Sequence, residues 1–506
     1  MPQHTAPSST RFAGYSDPVV HDAPDGKPKT HLLWGDWLRL KAGRQDDWRE
    51  VHARGCDGWM REQDIQPDRI LEVVFVDVGQ GDGCLLVTPE DEHLVIDAGQ
   101  DDSMHRFLNW RYNGFRDGWT FAAGIITHPD SDHYQGFQDL FLNPHVAFDV
   151  LYTSGIMERR ASGLAGLGPS TKVGAVRYLT DLVRSRTGLE AFLAHEPNWK
   201  HPTRRQWDKQ YPTVLDAGVR GDRFARFEAL SHRDGHVPGW GPGEKSLELQ
   251  LLGPVLEQPP GLPSPGLRIL DSDAGRTKNG HSVVIRLVIG NVSVLLGGDL
   301  NVPSQELLLG HHTGLDPRPR TRDDHEALVQ SARRVFQVDV AKACHHGAAD
   351  VSTRFLAATN PVATVISSGD EESHAHPRAD ALGATGKHGR GNRPLIFSTE
   401  LGRSAPNRIR HPAVLKQRIR ELRNLIPEAT GTLRAALIRE FDQLVERIDR
   451  SVAVYGAIHL RTDGHRVVMA YKLEQPRGND HKWDVYRLEP QGDGGPIRYV
   501  SKYDDG

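Results

Sequence analysis

The hydrophobic pattern is clearest after residue 70, where three apolar runs, Val73–Val78, Cys84–Val87 and Leu94–Ile96, are separated by glycine-rich or acidic turns. Short apolar runs bounded by turn residues are typical of buried β-strands. A further apolar run ends at Thr127 and continues directly into the polar segment His128–His133. Because such strands alternate with segments of helical period, the sequence predicts an α/β protein.

Later segments extend this pattern. Val283–Ile289 and Val292–Leu296 flank a Gly-Asn pair, which predicts a β-hairpin. Residues 413–450 carry two apolar stripes at helical spacing, which predict a helical hairpin. The expected organisation is one domain over residues 70–475, with insertions at 155–245 and 380–450 and a C-terminal extension at 476–506.

The N-terminal part has a different composition. Residues 1–28 are rich in Pro, Ser, Asp and Gly without any period, which predicts a disordered leader. Residues 29–68 contain short apolar stretches with four tryptophans, Trp34, Trp37, Trp48 and Trp59. This block, with its "W..V...G..GW" pattern, resembles a bacterial SH3-like small β-barrel. Two interpretations stay open: the aromatic rings fill a barrel core, or they form a docking surface for a peptide or a neighbouring domain.

Composition limits the classes of function. The chain has 506 residues, 62 Lys plus Arg and 66 Asp plus Glu, for a formal net charge of −4. This balance excludes nucleic-acid binding by bulk positive charge and leaves a local basic surface open. The three cysteines lie far apart and form no CxxC pair, which favours a reducing compartment. With neither a signal-peptide pattern nor a long apolar stretch, we expect a cytoplasmic protein without membrane contact.

The strongest candidate for chemistry is the segment His128-Pro129-Asp130-Ser131-Asp132-His133. It places four potential ligands within six residues, on a loop that directly follows a buried strand. Imidazole and carboxylate groups both suit divalent transition metals. The alternative is a polar capping turn, but the density of ligands favours a metal site.

Two later strand ends supply more ligands. Asp299 follows the apolar strand Val292–Leu296, and a carboxylate at this place can bridge two metal ions. His345 and His346 follow the next strand, in the sequence Cys-His-His-Gly. Six ligands from three strand ends predict a two-metal hydrolytic site.

Together these motifs resemble the metallo-β-lactamase superfamily, and within it the hydrolase domain of ComEC/Rec2 proteins. The resemblance spans roughly residues 71–473, and it implies a four-layer αββα sandwich preceded by the SH3-like barrel. ComEC/Rec2 proteins carry a transmembrane channel that this sequence lacks, so a role in DNA uptake is not implied. The motifs that carry the resemblance are Asp77-Val78-Gly79-Gln80-Gly81-Asp82, Leu94-Val95-Ile96-Asp97-Ala98-Gly99, the HxDxDH segment, Gly298-Asp299, His345-His346-Gly347 and Ser373-His374-Ala375-His376-Pro377.

The resemblance also implies a ligand set. Two divalent ions, Zn²⁺ or Mn²⁺, are expected, and Mn²⁺ enters because Asp130 stands where a second histidine is common. His345 would complete the second metal site, although His346 could take that part. The remaining implied roles are His128 and Asp130 on the first metal, Asp132 and His133 on the second, and Asp299 between them.

Several further roles stay open at this point. His281, just ahead of the strand before Asp299, is either a seventh ligand or a turn residue. Asp82 and Asp97 either orient metal-binding histidines or cap turns. Asp132 is expected to orient a hydroxide that bridges the metals. His376, or whichever of His345 and His346 is not a ligand, is expected to be the general acid.

The expected substrate class is a phosphodiester, most plainly nucleic acid or a nucleotide. Arg204 and Arg205 lie in a basic insertion with Trp199 and Trp207 nearby, so backbone contact and base stacking are conceivable there. The alternative for this insertion is a solvated charged face. Rival functions are hydrolysis of a lactam, a thioester, a small phosphoester or a cyclic nucleotide, or an interaction protein that binds a protein partner through its SH3-like module.

Overall fold

The computed structural model describes residues 9–200, 210–369, 375–401, 412–453, 455–492 and 494–502. Its first part is one antiparallel sheet, here called the N-terminal sheet, in the order β3-β2-β6-β5-β4-β1-β7. Buried Val20, Leu38, Val51 and Met60 contribute to its core. Its strands are β1 (Thr10–Ala13), β2 (Val19–His21), β3 (Pro28–His31), β4 (Trp37–Gln45), β5 (Trp48–Ala53), β6 (Cys56–Arg61) and β7 (Ile65–Gln66).

The prediction of a disordered leader over residues 1–28 is wrong for residues 9–28. β1 pairs with β4 and β7, and β2 pairs with β3 and β6, so this segment completes the N-terminal sheet. The strands have only three or four residues. Such strands are too short to show a period, and their stability comes from partners distant in sequence.

The elements from β8 to β28 form the rest of the molecule, here called the main body. The first segment contains β8 (Leu71–Phe75), β9 (Gly83–Val87), β10 (His93–Ala98), α1 (Ser103–Arg111), β11 (Trp119–Phe121), β12 (Ala123–Ile125), α2 (Ser131–Tyr134), α3 (Phe137–Leu142) and β13 (Val146–Thr153). The next contains β14 (Ser170–Val173), β15 (Val176–Leu179), α4 (Arg186–Ala194), α5 (Tyr211–Arg220) and β16 (Phe224–Ala229).

The second half alternates strands and helices before a closing group of strands. It contains β17 (Leu247–Gly253), β18 (Leu256–Glu257), β19 (Gly266–Arg268), α6 (Ala274–Gly280), β20 (Val284–Ile289), β21 (Val292–Leu296), α7 (Val302–Thr313), α8 (Arg322–Phe336), β22 (Val340–Lys342), α9 (Thr353–Thr359), β23 (Ala363–Ile366), α10 (Ala379–His388) and β24 (Leu395–Ser398). It ends with α11 (Pro412–Glu428), α12 (Gly431–Ala453), β25 (Ile458–Thr462), β26 (Val467–Lys472), β27 (Trp483–Pro490) and β28 (Ile497–Val500).

Two large sheets form the centre of the main body. The first has the order β11-β13-β12-β10-β9-β8-β25-β26-β27-β28, with β16 beside β13, and the second has the order β17-β20-β21-β22-β23-β24. A small sheet, β14-β15-β19-β18, stands apart from both. β27 and β28 lie in the expected C-terminal extension 476–506, so that boundary is wrong, and β16 likewise ties part of the 155–245 insertion into the first sheet.

The layering follows from what each sheet buries. Apolar side chains of both large sheets share one continuous core, with Phe75 and Ile96 on one side and Leu287 and Val365 on the other. The outer face of the first sheet packs against α1, α3 and α5. The outer face of the second packs against α7, α8 and α9. The order helix–sheet–sheet–helix confirms the mixed α/β class, because each sheet needs both faces covered.

Two attachments complete the molecule. The predicted helical hairpin is present as α11 and α12, and Arg418 of α11 forms an ion pair of 2.8 Å with Glu440 of α12. Trp34, from the loop after β3, packs with Val468 and Trp483 of the first large sheet, so the N-terminal sheet is fixed to the main body. In the described part of the chain, no helix is long and apolar enough to cross a membrane.

Candidate metal centre

The candidate site lies where strands of both large sheets end. The loop after β12 leads into α2, which carries Asp132 and His133. Asp299 follows β21 of the second sheet, and His346 lies in the turn after β22. Because these strand ends meet at one edge of the sandwich, residues far apart in sequence converge there. We call Asp132, His133, Asp299 and His346 the four-ligand cluster.

The geometry of the four-ligand cluster suits one ion. One ligand atom from each residue lies within 4.8 Å of the others. Asp299 Oδ2 lies 3.1 Å from His346 Nε2 and 3.3 Å from His133 Nε2, and Asp132 Oδ2 lies 3.4 Å from His346 Nε2. Asp132 is 13% exposed and the other three side chains are buried, so the cluster opens to solvent on the Asp132 side.

The hydrogen bonds fix which nitrogen of each histidine faces the centre. His133 Nδ1 lies 2.9 Å from Asp97 Oδ2, and His346 Nδ1 lies 3.1 Å from the carbonyl of Ser367. Both partners accept only, so the neutral rings carry their proton on Nδ1 and present the Nε2 lone pair to the cluster. Within the described residues, these two Nε2 atoms have no hydrogen-bond partner although they are buried. A divalent ion would satisfy them.

Asp82 and Asp97 lie under the cluster. Besides His133, Asp97 accepts hydrogen bonds of 2.8 Å from the backbone N–H and the hydroxyl of Thr127. Asp82 Oδ1 lies 3.2 Å from His346 Nδ1. Carboxylates behind metal-binding histidines hold the ring and its tautomer in place.

His128 lies beside the four-ligand cluster, with its ring centroid 4.1 Å from that of His133. Its Nδ1 contacts the hydroxyls of Thr127 at 3.0 Å and Ser282 at 3.2 Å. Since those hydroxyls donate to Asp97 and to the carbonyl of Asn279, Nδ1 must be the donor to them. His128 therefore also presents a free Nε2 lone pair. Burial and the neighbouring His133 hold its pKa well below the usual value, so the ring stays neutral.

The electrostatics favour a bound cation. Burial alone would raise the pKa of the Asp299 carboxyl. The neighbouring His346 and His133 instead hold this pKa well below its usual value. In return, the carboxylates raise the pKa of His133 and of His346 well above the ordinary value, against the effect of burial. The cluster therefore attracts protons to its histidines when no metal is bound. A divalent ion competes for the same lone pairs, so we expect metal binding to release protons.

Lys342 is a residue of the site that the sequence analysis missed. Its buried ammonium group contacts Asp82 and lies 3.6 Å from Asp299 Oδ1 and 3.2 Å from the carbonyl of Gly298. These carboxylates raise its pKa despite its burial, so it stays charged. A lysine inside the otherwise apolar run before Cys344 was the available signal, because a charge in a buried strand needs a partner.

The backbone at the site is strained. Asp97, His345 and His346 have φ angles of 54°, 52° and 53°, a region that residues with a side chain rarely adopt. Such strain is typical of functional sites, where the surrounding packing enforces it. Gly81 shows the reason for one glycine of the Asp77–Asp82 motif: with φ of 103°, a Cβ there would lie 1.8 Å from the carbonyl oxygen of Asp132.

Asp130 is predicted to hold a first metal together with His128, and its side chain lies outside the four-ligand cluster. It caps α2 by accepting from the N–H of Ser131, and its Oδ1 lies 3.6 Å from the ammonium of Lys278. Lys278 in turn pairs with Glu158 at 2.7 Å. The lysine therefore neutralises the carboxylate that would complete a site around His128.

The structure distinguishes the two histidines of the doublet. His346 belongs to the four-ligand cluster, whereas His345 is half-buried and outside it. The ring of His345 lies 5.7 Å from that of His376, which itself lies 6.4 Å from the ring of His346. His345 and His376 therefore lie beside the cluster.

The other predicted residues lie elsewhere. His281 is fully buried and its Nε2 lies 2.6 Å from the carbonyl of Arg268, outside the cluster, which fits its interpretation as a turn residue. Arg204 and Arg205 lie outside the described residues. Trp199 is 3% exposed and donates to the carbonyl of Leu193, so it packs in the core and cannot stack on a base.

Comparison with protein-family models finds no match for this chain, and comparison with curated proteins finds none. Among solved structures, the chain is similar to a metallo-β-lactamase from Cronobacter sakazakii (Enterobacter sakazakii), a mutant of its HARLDQ motif, with 16% sequence identity and a TM-score of 0.24. The similarity covers 54% of this chain and 77% of that chain. At this TM-score the likeness assigns no function, and the metal centre rests on its own geometry.

Proposed function

We propose that this protein is a metal-dependent hydrolase of the metallo-β-lactamase fold, related to the hydrolase domain of ComEC/Rec2 proteins, and that it cleaves phosphodiesters. The observation that carries the proposal is the four-ligand cluster, with two histidine Nε2 lone pairs and two carboxylates aimed at one point. The helix–sheet–sheet–helix layering supports the fold part of the proposal. The seven-stranded N-terminal sheet is compatible with an SH3-like module, which stays a proposal.

The residues divide the chemistry between them. A divalent ion held by the cluster would activate water and stabilise the charge that develops on the phosphate oxygens. Asp132 is the cluster member that reaches solvent, so it is placed to orient the attacking water. Asp82 and Asp97 keep His346 and His133 in the required tautomer.

The leaving oxygen needs a proton, and the best placed donors are His345 and His376. Both lie next to the cluster without belonging to it, and their rings are 5.7 Å apart. Histidine is the side chain whose unperturbed pKa allows donation near neutral pH. The alternative assignment has His345 as ligand and His346 as acid. It would require the turn to rearrange so that His345, and not His346, enters the cluster.

We further propose that one metal position is preformed and that a second is weaker. His128 offers one lone pair toward the second position, but Asp130 is held by α2 and by Lys278. Zn²⁺ and Mn²⁺ both match the imidazole and carboxylate donors. We therefore expect one tightly held equivalent, and a second only when Asp130 is free to turn.

We propose nucleic acid, in preference to small phosphodiesters, as the substrate. Three other basic residues of the insertion already form ion pairs: Arg159 with Asp181, Arg186 with Glu190 and Lys200 with Glu196. The proposal therefore depends on Arg204 and Arg205. If Arg204 and Arg205 contact a backbone, alanine at both positions lowers the salt dependence of binding, since each neutralised phosphate contributes about 0.7–0.9 to the log–log slope.

The test is a substrate screen on purified protein loaded with Zn²⁺ or Mn²⁺. DNA, RNA, a cyclic dinucleotide and bis-p-nitrophenyl phosphate represent the proposed class; a β-lactam and a thioester represent its rivals. Asp299→Asn serves as the inactive control, and it should abolish every true activity. Cleavage of the lactam or thioester without any diester would refute the phosphodiesterase proposal and leave the metal centre intact.

A further inference from the structure

A buried lysine lies beneath the four-ligand cluster without belonging to it. Lys342 is the last residue of β22, and its side chain is 5% exposed. Lysine is almost never buried unless its ammonium group is paired. Here the ammonium group contacts the side chains of Asp82 and Asp299 and the carbonyl of Gly298. All of its printed partners therefore lie at the metal centre.

The lysine divides the two oxygens of the Asp299 carboxylate. Oδ2 is the oxygen nearest the cluster, at 3.3 Å from His133 Nε2 and 3.1 Å from His346 Nε2. Oδ1 is the oxygen nearest Lys342, at 3.6 Å from its ammonium nitrogen. Among the described residues, buried Oδ1 accepts no hydrogen bond, so the ammonium group is the cation that faces it. Asp299 thus presents one oxygen to the cluster and the other to the lysine.

The same ammonium group reaches a second member of the cluster indirectly. It contacts Oδ2 of Asp82, whose Oδ1 lies 3.2 Å from His346 Nδ1. It also donates to the carbonyl of Gly298 at 3.2 Å, which holds the residue directly before Asp299. In the described part of the chain, no other lysine or arginine forms an ion pair with Asp82 or Asp299. One side chain therefore holds both the turn that carries Asp299 and the carboxylate behind His346.

We propose that Lys342 is a positioning residue of the metal centre, which keeps Oδ1 of Asp299 turned toward its ammonium group and so limits Asp299 to one donor atom. The inference rests on the metal centre of the proposed function. Imidazole nitrogens with few carboxylate oxygens suit Zn²⁺, which takes a small number of ligands, whereas Mn²⁺ favours oxygen donors in octahedral sites. Release of Oδ1 would add an oxygen donor, so the preference of the site would shift toward Mn²⁺.

The experiment is a competition titration of Zn²⁺ against Mn²⁺ on the full chain, which gives the ratio of the two affinities. Lys342→Met should shift this ratio toward Mn²⁺ about tenfold or more, since residues that support metal ligands change affinity by about 10–100-fold. The change in the ratio is the informative quantity, because sites of this kind bind Zn²⁺ more tightly than Mn²⁺ in general. A loss of packing alone would weaken both metals alike and leave the ratio unaltered.

A second variant secures the test, because Lys342→Met leaves two buried carboxylates without their cation. Combining Lys342→Met with Asp82→Asn removes one charge of each sign. Asp82→Asn alone is the matched control, since it keeps the lysine against Asp299. The control should weaken both metals through His346 and leave the ratio unchanged, whereas the double variant should shift the ratio toward Mn²⁺. Cooperative denaturant unfolding in EDTA shows which variants are folded.

The outcomes separate this inference from the proposed function. The role of Lys342 is wrong if the folded double variant has the same ratio of affinities as Asp82→Asn, or if its ratio moves toward Zn²⁺. It is also wrong if the folded double variant binds neither ion, because the lysine would then be needed for metal binding as a whole. Failure of the unsubstituted chain to bind Zn²⁺ or Mn²⁺ would instead refute the metal centre itself.

Discussion

Replacing His346 by Ala tests the metal centre directly, with His345→Ala as its neighbour control. His346 supplies one of four ligands, and its Nε2 lies 3.1 Å from the carboxylate of Asp299. Loss of a residue that only orients a ligand costs about 10–100-fold in metal affinity, so loss of a ligand should cost at least about 100-fold.

This loss converts into a measurable stability change. A metal present at about 1,000 times its dissociation constant stabilises the fold by about 4.1 kcal/mol. After a 100-fold loss of affinity the same concentration is about 10 times the constant, and the stabilisation falls to about 1.4 kcal/mol. His346→Ala should therefore lose about 2.7 kcal/mol of metal-dependent stability.

The assay compares denaturant unfolding with excess Zn²⁺ and with EDTA for each variant. Taking the difference removes the packing cost of the substitution, because that cost is present under both conditions. His345→Ala should keep the metal-dependent stabilisation and lose activity if it is the proton donor. The reasoning is refuted if His345→Ala loses the stabilisation while His346→Ala retains it.

Three further outcomes follow from the same contacts. Asp97→Asn should lower metal affinity about 10–100-fold, because an amide cannot replace all of the bonds to His133 and Thr127, and a metal titration with unchanged affinity would contradict this. Lys278→Met should release Asp130 and raise the metal content toward two equivalents by elemental analysis, whereas an unchanged single equivalent would show that the lysine is not what blocks the second position. Burial lowers the pKa of His281 to about 4, below its unfolded value near 6.5, so stability present above pH 6.5 is lost as the pH falls toward 4, by up to about 3 kcal/mol. His281→Gln should remove that part of the acid sensitivity in unfolding measured against pH, and an unaltered pH profile would exclude His281 as its source.

The members of the four-ligand cluster were predictable where they lie close to a strand end. Asp132, His133 and Asp299 lie in segments that come soon after apolar strands, so their convergence follows from how strand ends meet at a sheet edge. The doublet was different: both histidines have positive φ, and only the turn geometry decides that His346 enters the cluster. The position of Asp130 also depended on a residue distant in sequence, because Lys278 holds it.

The ends of the chain show why local patterns fail at some boundaries. Residues 1–28 and 476–506 both lack a strong period, so they were expected to be appendages. Yet β1 and β2 complete the N-terminal sheet, and β27 and β28 extend the first large sheet. Their short strands are stabilised by partners far along the chain. Trp34 packs with Trp483 where the N-terminal sheet contacts the first large sheet.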